Sequence, residues 1–206
     1  MESTVYVVDD DGMVRTALLR LLASAGMKAR GFASAEEFLQ EALPGEPCCL
    51  LLDMKMPGSD GFEVVRRLEH RGDAIPIIFI SGYGTIPATV QAMKAGAHEF
   101  LTKPVEEERL LGAVREALAL ASRQLHLRVE HAANASRLET LTPREREVLE
   151  LAIGGLLNKQ IATELGISEI TVKVHKRRVM DKMQTKTLAD LVRAAERLQI
   201  HSARQR

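Results

Sequence analysis

The first half of the chain alternates short apolar runs with stretches of helical spacing, and this alternation constrains its fold more than any other feature. The runs, rich in apolar and β-branched residues, span residues 4–8, 28–32, 49–52, 75–80 and 100–102. Helical patterns follow them at about residues 13–25, 35–43, 61–71 and 86–95, and from 106 onward. Mostly apolar strands joined by helices indicate a parallel sheet covered on both faces. We therefore predict an α/β doubly wound, five-stranded parallel sheet.

The second half predicts four short helices and no strand. Thr142, Pro143 and Glu145 form a typical helix start, in which the threonine and the glutamate make a capping box. This helix is predicted at residues 143–153, and three more at about 158–165, 169–183 and 187–198. Gly166 marks a turn between the second helix and the third, as in a helix-turn-helix motif. The sequence thus predicts a small all-α four-helix helix-turn-helix domain.

A helical stretch without glycine or proline after Gly112 joins the two halves. We predict a first domain at residues 1–118, a helical linker at 119–139 and a second domain at 140–206. Apolar residues in the linker region recur at a three-four spacing, but the heptads are too few to identify a coiled coil. A long solvated helix and a dimer-forming coiled coil therefore both remain open.

The formal net charge of zero divides unevenly between the halves. Residues 1–118 carry 12 Lys+Arg and 18 Asp+Glu, whereas residues 140–206 carry 13 and 8. The first half is therefore acidic, with a net charge of −6, and the second is basic, with a net charge of +5. A basic half suggests a polyanionic partner. Because no apolar run reaches the roughly 18 residues that span a bilayer, we expect a cytoplasmic protein without a membrane partner.

Polar residues follow the ends of the predicted strands. Asp9 and Asp10 follow the first strand, Asp53 the third, Ser81 the fourth and Lys103 the fifth. In a doubly wound sheet the first and third strands flank the point where the strand order reverses. We therefore expect the aspartates to converge there. One strand-end aspartate could simply cap a helix, but capping explains several coincident positions poorly.

The chemistry of these groups predicts phosphoryl transfer. Clustered carboxylates repel one another unless a cation compensates them, and a site with oxygen ligands only favours Mg²⁺. Lys103 and the hydroxyl of Ser81 could stabilise the oxygens of a phosphoryl group. Asp53, at the centre, could be a nucleophile that forms an acyl phosphate.

Several segments of the first half resemble the receiver domain of two-component response regulators. They are V-V-D-D at residues 7–10, L-L-D-M-K-M-P-G at 51–58, I-S-G at 80–82 and A-G-A-H-E-F-L-T-K-P at 95–104. The resemblance covers about residues 5–118. It implies a flavodoxin-like receiver fold in which Asp53 is the phospho-acceptor.

The resemblance also implies roles for the groups around Asp53. Mg²⁺ would be held by Asp9, Asp10, Asp53 and the backbone carbonyl of Lys55. Ser81 and Lys103 would contact the phosphoryl group. Phe100 would act with Ser81 as the activation switch and, because its ring lacks a hydroxyl, could signal only by packing. The peptide bond before Pro104 would be cis.

The third predicted helix of the second half is strongly basic, with cations at Lys173, Lys176, Arg177, Arg178 and Lys182. Such a density of cations matches a footprint for DNA phosphates, with a solvated basic face as the alternative. Lys173, Val174 and Arg177 share one face and are predicted to read base edges. Thr171, Lys176 and Arg178 suit phosphates. The complete predicted set for double-stranded DNA is Asn158, Lys159, Thr171, Lys173, Val174, Lys176, Arg177, Arg178 and Lys182.

The second half also carries a family resemblance. L-T-P-R-E-R-E-V-L at residues 141–149, N-K-Q-I-A at 158–162, L-G-I-S at 165–168 and T-V-K-V-H at 171–175 resemble a LuxR-type output domain. A receiver followed by this domain is similar to the NarL/FixJ subfamily of response regulators. Residues 179–193 look closer to its FixJ-like branch, which includes regulators of aromatic catabolism.

This combined resemblance implies a transcription regulator, not an enzyme, and a set of partners. A sensor histidine kinase would phosphorylate Asp53 and so promote formation of a homodimer. The dimer would bind an inverted-repeat operator and contact RNA polymerase, and the fourth helix of the output domain would supply a dimer face. A DNA-binding transcription regulator that works independently of phosphorylation remains the alternative.

Overall fold

The chain divides into two units, Met1–His126 and Leu127–Arg206, in a computed structural model that describes residues 2–43, 45–82 and 85–200. The first unit contains β1 (Thr4–Val8), α1 (Gly12–Ser24), β2 (Lys28–Phe32), α2 (Ala35–Leu39), β3 (Cys48–Asp53), β4 (Lys55–Met56), β5 (Ser59–Asp60), α3 (Gly61–Arg71), β6 (Ile77–Ser81), α4 (Ile86–Lys94), β7 (Glu99–Thr102) and the start of α5 (Glu107–Glu139). The second contains the rest of α5, then α6 (Pro143–Ile153), α7 (Asn158–Leu165), α8 (Glu169–Lys182) and α9 (Leu188–Arg197).

A five-stranded sheet forms the centre of the first unit. Its strand order is β2-β1-β3-β6-β7, and each neighbouring pair runs parallel. From β1 the chain goes first to β2 on one side and then to β3 on the other side of β1. The direction in which strands are added therefore reverses between β1 and β3. The carboxyl ends of these two strands lie side by side, because Val8 pairs with Leu52. The predicted doubly wound sheet is confirmed, and its switch point lies directly beyond Val8 and Asp53.

Three local features differ from the prediction by more than one residue. Helix α2 ends at Leu39, four residues early, where Arg71 donates to the Leu39 carbonyl at 2.6 Å from a distant part of the chain. Strand β6 begins at Ile77 because Pro76 has no amide hydrogen to enter the ladder. The hairpin of β4 and β5 was not predicted, since two-residue strands are too short to show a sequence period.

Each face of the sheet builds its own apolar core. Tyr6 and Val8 of β1 lie in one buried cluster with residues of α2, α3 and α4. Val5 and Val7 of the same strand lie in a second cluster with residues of α1 and α5. This alternation follows the two-residue period of a strand, and it explains why β1 is apolar throughout. Burial on both faces therefore fixes the register that brings the strand ends together.

The second unit is a compact set of helices with well-formed ends. The hydroxyl of Ser168 accepts a hydrogen bond from the Thr171 amide at 3.1 Å and so caps α8. Gly166 ends α7 in the left-handed conformation, with φ of 63°, which a side chain would disfavour. Buried Val172 and Val179 fix one face of α8 against the neighbouring helices. The predicted four-helix arrangement is confirmed.

Helix α5 continues without a break through the predicted linker, and its last turns belong to the second unit. Leu138 packs against the core cluster of α6, α8 and α9. Glu130 and Arg197 form an ion pair at 2.6 Å. The end of the linker is therefore part of the second unit's fold. Within the described ranges, none of the helices combines the length and the apolar character that a membrane crossing requires.

We expect Gly61→Ala to destabilise the protein by about 1–3 kcal/mol, the usual effect of overpacking. An added Cβ would lie 2.8 Å from Cε1 of Phe79 and 3.2 Å from the Asp53 carbonyl oxygen. The matched control is Gly112→Ala in α5, where, apart from the adjacent residues and the helix's own backbone, no described atom lies within 4 Å of the added Cβ. That change should stabilise by up to about 1 kcal/mol, because alanine favours helix. Thermal unfolding measures the stability of both variants. Equal changes in stability for Gly61→Ala and Gly112→Ala would contradict the close approach of α3 to β3.

Candidate functional site

Three aspartates meet at the carboxyl end of the sheet. Asp9 follows β1 and Asp53 ends β3, and one carboxylate oxygen from each of Asp9, Asp10 and Asp53 lies within 4.8 Å of the others. Asp9 is 1% exposed and Asp53 is 8% exposed, whereas Asp10 is open to solvent. The structure thus brings together groups that are 44 positions apart, as the strand pattern predicted.

Lys103 contacts both buried carboxylates. Its Nζ lies 2.8 Å from Oδ2 of Asp9 and 2.7 Å from Oδ2 of Asp53. The other oxygens accept backbone hydrogen bonds, Asp9 from Asp11 at 2.9 Å and Asp53 from Lys55 at 3.1 Å. Every carboxylate oxygen of the buried pair is therefore oriented by a donor.

Burial and neighbouring charges have opposite effects on the pKa values of Asp9 and Lys103. Burial raises the pKa of the Asp9 carboxyl, and the Lys103 ammonium offsets only part of that rise. Burial alone would lower the pKa of the Lys103 amine, but the carboxylates of Asp53 and Asp9 outweigh it and hold that pKa above its ordinary value. Lys103 therefore remains a cation at neutral pH.

The remaining residues predicted for this site lie on β4, β6 and β7 and at the end of β7. Ser81 is buried at the end of β6 and pairs with Thr102 of β7. The Lys103–Pro104 bond is cis, as the resemblance implied. Phe100 is 4% exposed and belongs to the core on one side of the sheet. Lys55 is an exposed residue, and its amide donates to Asp53.

Arg15 was missed at this site. Its Nη1 donates to the backbone carbonyl of Asp9 at 2.6 Å. Its aliphatic stem passes Gly31, where an added Cβ would lie 3.2 Å from the Arg15 Cγ and Cδ atoms. The available signal was helical spacing, since Arg15 stands one turn after Asp11, the cap of α1. Arg15 thus holds the backbone that carries the Asp9 carboxylate.

The predicted DNA-binding residues on α8 form one exposed surface. Lys173, Val174, Arg177 and Arg178 are exposed, and Lys176 is half-buried. Asn158 of α7 joins Lys173, Lys176 and Arg177 around a shallow groove of about 520 Å³. Lys159 is exposed on α7, and the hydroxyl of Thr171 lies 2.8 Å from that of Ser168.

Lys182 differs from the other cations of α8. Its Nζ donates to Oε2 of Glu145 at 2.7 Å and to the Thr140 carbonyl at 2.9 Å. The Glu145 side chain is 4% exposed and also closes the predicted capping box of α6, accepting from the Thr142 amide at 2.9 Å. The structure therefore gives Lys182 a role inside the domain that sequence reasoning did not anticipate.

Comparisons with known proteins find similarity in both units. Residues 5–115 match the family described as response regulator receiver domain, and residues 139–195 match the family described as bacterial regulatory proteins, luxR family. Response regulator protein TmoT of Ectopseudomonas mendocina is 48% identical over 197 residues, covering 96% of this chain and 90% of TmoT. FixJ of Bradyrhizobium diazoefficiens is 42% identical over 194 residues, covering 94% of both chains.

Solved structures show the same similarity. The response regulator StyR is 47% identical and matches with a TM-score of 0.85, covering 95% of this chain and 99% of StyR. Full-length FixJ from B. japonicum is 38% identical and matches with a TM-score of 0.56 over 96% of this chain and 97% of FixJ. The similarity extends through nearly the whole chain and agrees with the branch predicted from the sequence.

We expect Lys182→Met to destabilise the second unit by about 1–3 kcal/mol at neutral pH, because the buried carboxylate of Glu145 loses its cation. Burial alone would raise the pKa of Glu145, but the Lys182 ammonium and the Thr142 amide outweigh it and hold the pKa below its ordinary value. The contribution of a carboxyl with a lowered pKa is complete above the unfolded pKa and disappears as pH falls through the folded pKa.

The difference in unfolding temperature between wild type and Lys182→Met should therefore shrink as the solution is acidified below the ordinary pKa of glutamate. The control is Lys186→Met, since Lys186 is exposed and forms no ion pair with the described residues. A difference that stays constant with pH would show that Lys182 stabilises the unit by packing alone.

Proposed function

Since the chain belongs to the two-component response regulators that join a receiver domain to a LuxR-type DNA-binding domain, we propose that a sensor histidine kinase phosphorylates it on Asp53 to regulate transcription. The observation that carries the proposal is the surroundings of the Asp53 carboxylate. It lies beside Asp9 and Asp10, and the Lys103 ammonium is 2.7 Å from its Oδ2. The Asp53 carboxylate is the nucleophile in this arrangement, and the Lys103 ammonium is a positive charge that would stabilise the oxygens of a phosphoryl group.

Asp53 is the nucleophile of the proposed reaction. One carboxylate oxygen forms a bond to phosphorus as the bond between phosphorus and the leaving group of the donor breaks, so Asp53 needs no general base. The amide of Lys55 orients the carboxylate by donating to its Oδ1. Lys103 would neutralise one phosphoryl oxygen, and the hydroxyl of Ser81 would donate to another.

Mg²⁺ is the proposed cofactor, held by Asp9, Asp10, Asp53 and the backbone carbonyl of Lys55. The acidic cluster offers oxygen ligands only, which suits a hard divalent cation. When bound, the ion would neutralise charge that develops on the transferred group. Asp9 and Asp10 would hold the ion beside Asp53, and Arg15 would hold the backbone of Asp9 in place.

Ser81 and Phe100 form the proposed switch. They lie on neighbouring strands, since Ser81 pairs with Thr102 and Phe79 with Phe100. A new hydrogen bond from Ser81 to the phosphoryl group would shift the end of β6, and Phe100 would respond by repacking in the core. The active receiver surface would then favour a homodimer.

The proposed output is DNA binding by α8. In a dimer, two such helices would enter successive major grooves of an inverted-repeat operator. The proposed receiver spans residues 1–118, the helical linker 119–139 and the DNA-binding domain 140–206. We also propose that the protein is cytoplasmic and that it contacts RNA polymerase. A regulator independent of phosphorylation is the alternative, and the complete acidic cluster favours phosphorylation over it.

We expect the wild type to gain about 80 Da, the mass of one phosphoryl group, after incubation with Mg²⁺ and acetyl phosphate. Asp53→Asn should gain nothing, because an amide is not a nucleophile for this reaction. Asp73→Asn is the control, since Asp73 follows α3, forms an ion pair with Arg71 and lies outside the acidic cluster. Intact-mass spectrometry provides the measurement, and an equal adduct on Asp53→Asn would assign the phosphoryl group to another residue.

The same treatment distinguishes the two proposed modes of regulation. Phosphorylation should raise the DNA affinity of the wild type and leave that of Asp53→Ala unchanged, because only the wild type can form the acyl phosphate. Equal affinities after donor treatment would favour the phosphorylation-independent regulator.

Arg178→Ala should weaken binding about equally for all duplex sequences, since a phosphate contact carries no base information. The plot of log affinity against log salt concentration has a negative slope, and its magnitude should decrease by about one unit. Arg128→Ala on α5 is the control, because Arg128 is an exposed arginine remote in sequence from α8. Titrations by fluorescence anisotropy at several salt concentrations test this, and an unchanged slope would remove Arg178 from the phosphate contacts.

A further inference from the structure

Two large aliphatic side chains on α8 remain exposed. Ile170 is 75% exposed and Val174 is 45% exposed. They stand four residues apart and therefore lie one above the other on the same side of the helix. Sequence reasoning assigned Val174 to base contacts and did not consider Ile170. An exposed aliphatic pair on a short basic helix requires an explanation in terms of what it contacts.

The pair lies on the side of α8 that faces away from the domain. Val172 and Val179, both 0% exposed, anchor the opposite side of the helix. At about 100° per residue, Ile170, Val174 and Arg177 fall within one outward sector, roughly opposite to the two buried valines. The aliphatic pair therefore lies on the surface that α8 presents to a binding partner, and it is not part of the core.

Charge around the pair identifies its partner. Lys173 and Arg177 flank the aliphatic groups on the exposed face, and Lys176 and Arg178 lie on either side of that face. Asp181 is exposed on the same face and lies 4.0 Å from Arg177. Among the described residues no ion pair involves Lys173, Lys176 or Arg178, so an apolar protein surface would leave these three cations without counter-charges. Duplex DNA supplies both requirements, since phosphates border the major groove and the 5-methyl group of thymine lies on its floor.

We propose that Ile170 and Val174 form a thymine-methyl reading pair, with Ile170 as a specificity-determining residue of the DNA-binding domain. The pair selects 5-methyl pyrimidines by apolar contact, while Lys173 and Arg177 read hydrogen-bonding groups on neighbouring bases. This inference rests on the proposed function of α8 and adds the chemical group that it recognises. A pair spaced by one helical turn addresses neighbouring base pairs within one half-site.

Replacement of thymine by deoxyuridine tests the proposal, because it removes the methyl group and keeps every hydrogen-bonding group of the base. The probe is a duplex selected by the wild-type full chain from a random pool. Each thymine of one half-site is replaced in turn, and affinities are measured by fluorescence anisotropy. At one or two positions the wild type should lose about three- to fivefold in affinity, the effect of one buried methyl group.

Matched variants assign the effect to a residue. In Ile170→Ala the deoxyuridine penalty should disappear at one of these thymines, and in Val174→Ala at another or at the same one. Both side chains are exposed, so alanine should leave the fold intact, which circular dichroism verifies. Leu127→Ala on α5 is the control, since Leu127 is an aliphatic residue with 56% exposure outside α8, and it should retain the full penalty.

Two results overturn the inference, and they differ from failure of the proposed function. If the wild type binds its selected duplex but tolerates deoxyuridine at every position, methyl recognition is wrong. If Ile170→Ala keeps the complete wild-type pattern of penalties, Ile170 reads no methyl group. Failure of the wild type to select any duplex would instead overturn DNA recognition by α8 and the inference together.

Discussion

The ammonium group of Lys103 allows two buried carboxylates to lie side by side at the end of a sheet. Asp9 and Asp53 each direct Oδ2 at this one group and satisfy Oδ1 with a backbone amide. Without a cation, both the desolvation of the carboxylates and the repulsion between their like charges would destabilise this arrangement. Asp53, the nucleophile of the proposed reaction, therefore takes its counter-charge from a residue 50 positions away.

The second unit uses the same device for a structural purpose. Glu145 is buried at the start of α6, where it caps the helix, and Lys182 brings a cation from the end of α8. The pair ties the first helix of the domain to the last turn of the helix that carries the proposed DNA contacts. In the first unit a lysine contacts two buried carboxylates at the proposed phosphorylation site, whereas in the second unit a lysine connects α8 to α6.

Much of the fold and of the candidate site follows from the sequence because both depend on strand ends. The runs around residues 4–8 and 49–52 are apolar on both faces, so they predict central parallel strands whose last residues must meet. Asp9, Asp53 and Lys103 were predictable for that reason. Arg15 was missed because its helical spacing from Asp11 was a weak signal and its partner is a backbone carbonyl, a group that every residue carries.

The sequence alone determined the two domains, the doubly wound sheet, the convergence of the aspartates and the basic helix, because period, caps and strand ends are properties of local order. Tertiary structure decided how individual side chains are used. Lys182 and Arg178 are equivalent in the sequence of a basic helix, yet one neutralises Glu145 and the other faces solvent. Ile170 resembles a core residue until Val172 and Val179 take the buried side of α8. Which side of a helix is buried depends on the neighbours it packs against, and those neighbours are set by the fold as a whole.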